Sequence, residues 1–179
     1  MTESPTDGDG VAFSDPTYRA AVVDLLGVIA YGEISAFERL AEDAKLAPTL
    51  QDKVALATMA SAEFDNVLRF RERLESLGAD PFEAMAPFRQ AVDSFHAHTS
   101  PSTWLEGLVK AYVGDGLARD FYAEIAAFVD VDTRDLILTS LERTTHSEFV
   151  VERVREGIVA DHRVGGPAGP VGSTADGGG

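Results

Sequence analysis

Residues 22–41 read VVDLLGVIAYGEISAFERLA. Val22, Leu26, Ile29, Phe37 and Leu40 follow the i, i+3, i+4, i+7 spacing of one helix face, and Glu33 interrupts that face near its middle. A carboxylate placed among such side chains loses its water and costs several kcal/mol unless something compensates it. An inward-facing Glu33 therefore needs a compensating group.

The same interruption recurs. Leu56, Ala60, Val67, Phe70, Leu74 and Leu77 form a second stripe, broken by Glu63. Trp104, Leu108, Ala111, Ala118, Tyr122, Ile125 and Val129 form a third, broken by Asp115. His146 shares a face with Val150, Val154 and Ile158. Helix boundaries are marked by Asp15-Pro16, by Pro48 with Thr49 and Asp52, by Gly78, by Asp80-Pro81, by Ser100-Pro101 and by Asp132 with Asp135. These predict helices from residue 15 to about 46, 49 to 78, 82 to about 96, 101 to about 129, and 132 to about 161. No period-2 alternation of useful length appears, so no sheet is expected.

Four of the five are long, roughly 45 Å at 1.5 Å per residue. Short connections after the first and third long helices make antiparallel hairpins, and a link of some twenty residues holding the short helix joins the two hairpins. The expected fold is an all-α four-helix bundle with one long crossover containing an extra helix. Antiparallel helices of equal length bring their midpoints level, so Glu33, Glu63, Asp115 and His146 are expected in one layer. Three acids there require a metal, shared protons or a buried arginine. Hard oxygen ligands with imidazole suit iron or manganese.

Composition narrows the classes. With no cysteine the chain has no disulfide, no thiolate metal site and no thiol nucleophile. Its net charge of −15, with only Lys45, Lys53 and Lys110 as lysines, opposes phosphate backbones, so no DNA partner is expected. No run of eighteen apolar residues is present, so no membrane span is expected. Met1 to Gly10 is acidic and polar, which reads as no signal peptide and a cytoplasmic location. Residues 1–14 and 163–179 are rich in small and turn-forming residues and are expected to be disordered tails, leaving 15–162 as the bundle. Phosphate-binding glycine loops, His-Glu-x-x-His and Gly-x-Ser-x-Gly are absent.

The stretches 30–40 (AYGEISAFERL), 59–64 (MASAEF), 104–116 (WLEGLVKAYVGDG) and 145–149 (THSEF) resemble the ferritin-like superfamily of di-iron carboxylate proteins. More narrowly, they are similar to the bacterial tRNA-(2-methylthio-isopentenyladenosine) hydroxylase-like (MiaE-like) family. The resemblance covers about residues 18–161 and implies a ferritin-like bundle, one or two iron ions, and a hydroxylase acting on a prenyl group carried by tRNA. The superfamily pattern asks for Glu-x-x-His on the second and fourth helices. Here Asn66 stands where a histidine belongs after Glu63, Asp115 replaces a glutamate, and Arg143 precedes His146 by three. The metal set read from the sequence is Glu33, Glu63, Asp115 and His146, with Asn66 and Glu142 as weaker substitutes. Arg143 is the competing reading, because its guanidinium could neutralise two carboxylates in place of a metal. Two functions follow: a non-haem iron oxidoreductase, or a degenerate, metal-free ferritin-like scaffold acting through protein interactions, expected to be a dimer. The aromatics Phe37, Phe70, Tyr112 and Tyr122 read as core. Tyr122 could also line a channel. His96, His98, Glu38, Glu42 and Asp43 read as solvated surface.

Overall fold

The computed structural model describes residues 13–143 and 147–164, with the side chains of 13–142 and 148–159. The described residues hold six α-helices and no strand: α1 (Pro16–Leu46), α2 (Leu50–Ser76), α3 (Pro81–His98), α4 (Trp104–Ile125), α5 (Val131–Arg143) and α6 (Ser147–Val164), with a 3-10 turn at Ala126–Phe128.

Caps set most of the boundaries. Asp15 accepts from the Thr17 amide at 2.8 Å, Thr49 from Asp52 at 3.1 Å, and Asp80 from Phe82 and Glu83 at 2.8 and 3.1 Å. α2 stops where Gly78 takes φ +70, a conformation open to glycine at little cost, so that the Gly78 and Ala79 amides turn back to Glu75 and Leu74. Two starts differ from the sequence expectation. α4 begins at Trp104 rather than at Pro101, because Thr103 caps the Glu106 amide while the Glu106 carboxylate reaches back to the Ser102 amide. α5 is capped by Asp130, whose carboxylate takes the Thr133 amide at 2.9 Å, and not by Asp132. The single last helix expected over 132–161 is described as α5 and α6 on either side of residues 144–146.

α1 is the spine. It packs most extensively on α2, then on α3, and touches α4, which in turn lies along α6. α1 is also long and apolar enough, by length and composition, to cross a membrane; here much of its apolar stripe is taken up by its neighbours. α3 crosses close over Gly27, where an added Cβ would meet the Ala84 carbonyl oxygen at 2.2 Å. Only a glycine fits that crossing.

The expected stripes of α1 and α2 are buried or partly buried throughout, from Val22 to Ala44 and from Leu56 to Leu77. On α4, Tyr112 is 45% exposed and not core, since it sits about 40° to one side of Leu108 and about 100° around the helix from Ala111. Ile158 is 52% exposed as well; at that end α6 presents Gly157 to Leu105 instead. The core falls into two clusters. One gathers Val22, Leu26, Ile29, Phe70, Leu74, Met85 and Ile137; the other gathers Leu40, Leu56, Met59, Leu108 and Val150. Glu33, Glu63 and Asn66 lie in sequence between the members of the two. A polar layer divides the core.

Candidate metal centre

Glu33 sits two turns before Leu40 on the inner face of α1. Glu63 and Asn66, three apart on α2, share the inner face with Ala60 and Phe70. The strong α1–α2 pairing brings them together. Glu63 is 8% exposed and Asn66 1%. The Asn66 side-chain amide donates to Glu33 Oε2 at 3.4 Å, and the Glu33 and Glu63 carboxyls hydrogen-bond to each other.

Two acids in contact without water cannot both be ionised cheaply. Burial pushes the Glu63 carboxyl up to about 10, and its bond to Glu33 and the charges of Glu33 and Asp115 push the same way. Glu33 also rises, through burial above all, while its bonds from Glu63 and Asn66 pull it down. Both carboxyls are thus driven toward the protonated form, and the pair retains a proton at neutral pH that belongs to the two groups together.

Asp115 reaches this pair by charge and not by contact. Its carboxylate turns along α4 to Arg119, at 3.5 Å, and is 41% exposed. Glu142 is exposed on α5. His146 lies outside the described residues, as does the side chain of Arg143, so the expected encounter of either with the acids falls there too. Among the described residues, no three His, Asp or Glu side chains meet closely enough to hold an ion as they stand.

Tyr122 completes the layer. Its hydroxyl lies 3.7 Å from where a Cβ on Gly32 would sit, and burial followed by the charge of Glu33 pushes it up to about 12. The core stripe of α4 pointed to this tyrosine; its place beside Glu33 comes from the packing of α4 on α1.

The donors fit a single hard cation better than a pair. Asn66 Oδ1 is buried with no donor among the described residues, an orphaned oxygen next to a carboxylate pair that has a proton where a cation could be. Iron suits this oxygen-rich set. The six side chains of a two-iron centre are not all present, since Asn66 supplies an amide in place of imidazole.

A family model described as a ferritin-like domain of actinomycetes matches residues 16–169, nearly the whole span from α1 to beyond α6. No curated protein matches the chain.

Proposed function

The chain belongs to this ferritin-like domain family, and on that premise we propose that it is a cytoplasmic, metal-dependent oxidoreductase resembling the non-haem iron hydroxylases. The observation that carries the reading is the contact of Glu33 with the buried Glu63, beside the orphaned oxygen of buried Asn66. Glu33, Glu63 and Asn66 Oδ1 would hold the ion, with Asp115 and His146 as further ligands. When bound, iron supplies the activation of dioxygen for oxidising a small substrate. The chain's own part is to give up the shared proton, to keep water out with the apolar clusters on both sides, and to present the Tyr122 hydroxyl next to Glu33. An apolar substrate suits those walls, and the prenyl group of a modified nucleoside belongs to that class. The −15 charge opposes an intact tRNA.

Elemental analysis after expression with iron tests this. About one iron per chain is expected, falling below about 0.2 in Glu63→Leu. Equal, sub-stoichiometric iron in both proteins overturns it.

A second reading, a metal-free scaffold working through protein interactions, has its own support. Glu63 already has an acceptor for its proton and Asp115 already has Arg119. Along α4, Val109, Val113, Leu117 and Phe121 recur every four residues and are all more than 40% exposed. That face suits a dimer, which light scattering would register as a doubled mass.

A further inference from the structure

A second polar cluster lies away from the carboxylate layer, where α1, the end of α3 and the start of α4 meet. Arg39 and Asp43 are one turn apart on α1, His96 is in the last turn of α3, and Lys110 is in the second turn of α4. Asp43 and His96, both expected on the surface, are in fact drawn in. Asp43 is 8% exposed because Gly107 leaves room for its carboxylate, which approaches to 2.7 Å from where a Cβ would be. His96 is partly buried.

Three nitrogens of this cluster, Arg39 Nε, His96 Nδ1 and Lys110 Nζ, are shut off from solvent and have no hydrogen-bond partner among the described residues. Buried donors are ordinarily matched, and three unmatched ones from three helices in one place call for a common acceptor. The nearby acids do not supply it. Glu42 is taken by the outer nitrogen of Arg39 at 3.1 Å, and Asp93 by the Tyr31 hydroxyl at 2.7 Å and by Arg89 at 3.6 Å. Lys110 instead lies over the Phe95 ring, 5.7 Å from its centroid, and Phe95 also stacks edge-on with His96. Asp43, the remaining buried acid, faces two cationic side chains by itself.

We propose that Arg39, His96 and Lys110 form a binding site for a small tetrahedral oxyanion, either free phosphate or the phosphate end of an organic ester. Such an anion carries several acceptor oxygens for nitrogens brought in from three helices, and its charge offsets Arg39 and Lys110 against each other. The electrostatics agree. Burial, then Lys110 and Arg39, hold His96 below its ordinary value against the pull of Asp93, and burial and Arg39 lower Lys110 against Asp43. All three side chains are only partly buried, so the site lies at the rim of the bundle.

The test is thermal unfolding of the full chain in inorganic phosphate against chloride at equal ionic strength. A saturable rise of about 5 °C is expected at a hundredfold excess over Kd. Lys110→Met keeps the stem and should lose the rise, while Lys53→Met, exposed on α2, should keep it. Phenyl phosphate distinguishes the sources: tighter binding than inorganic phosphate identifies an ester, weaker binding a free anion. Should Lys110→Met not fold, the His96 ring resonances of the unaltered chain still decide, since a bound anion must raise the pKa of His96. No rise over chloride, a rise that survives Lys110→Met, or an unmoved His96 titration overturns the proposal.

Discussion

Three buried carboxylates of this bundle, Asp130, Asp52 and Glu63, are of two kinds. Asp130 and Asp52 have side chains 2% and 4% exposed, and each meets a guanidinium at 2.7 Å, Arg73 in the first case and Arg153 in the second. Both lie near helix ends, where an arginine can carry its stem along the bundle and bring its head inward. Glu63, equally hidden at mid-bundle, meets another acid. The difference separates structure from site. At the ends, burial is compensated by a fixed charge of the chain. At the centre, compensation is left to something that can come and go, a proton or a metal ion.

Substitutions should break the two kinds in opposite directions. Arg73→Met leaves Asp130 buried without its cation and also disturbs the start of α5, since the same carboxylate caps Thr133. A loss of about 3–5 kcal/mol in denaturant unfolding is expected. A loss below about 1 kcal/mol would mean that the pair at the ends is no better matched than the pair at the centre. Glu63→Leu replaces an uncompensated acid by an apolar side chain of similar size. In chelator-treated protein it should stabilise by about 1–4 kcal/mol, and the sign should reverse when iron is present.

An effect spread over several pH units sharpens the same comparison. The folded-state pKa of Glu63 is pushed from an ordinary 4.5 up to about 10, so the folded chain keeps a proton that the unfolded chain releases. Relative to low pH, this group's contribution is therefore lost progressively as pH rises from about 4.5 toward 10. The slope is up to about 1.4 kcal/mol per pH unit. The difference between the unaltered chain and Glu63→Gln, measured in chelator from pH 5 to 8, should show that slope; parallel curves would contradict it.

Much of this was legible in the sequence because helix periodicity is a strong signal when an acid breaks it. Glu33 and Glu63 each stand where the 3.6-residue repeat asks for leucine, and the structure brings them into contact. The ferritin-like connectivity followed from loop lengths. Other features needed neighbours that a single helix does not reveal. Asp43 lies three residues after Leu40 on the same face, yet beside Glu42 it reads as one more surface acid; what buries it is the missing side chain at Gly107, sixty-four residues later. Arg73 and Arg153 stand on inward faces next to Phe70 and Val150, but only the fold pairs them with Asp130 and Asp52. Asp115 is the reverse case. It interrupts a stripe as the two glutamates do, but a shorter side chain and Arg119 one turn on draw it sideways. The proline at 101 pointed to a helix start because proline favours the first turn, and the Thr103 cap with Glu106 overrode it.

The central claim is that the mid-bundle acids retain a proton at neutral pH for want of a cation. Carbon-13 NMR of the glutamate side-chain carboxyls in chelated protein measures this directly. The account predicts one carboxyl still protonated at pH 8, absent in Glu63→Gln, and deprotonated when iron(II) or its diamagnetic substitute zinc is added. All glutamate carboxyls titrating below pH 6 would contradict it.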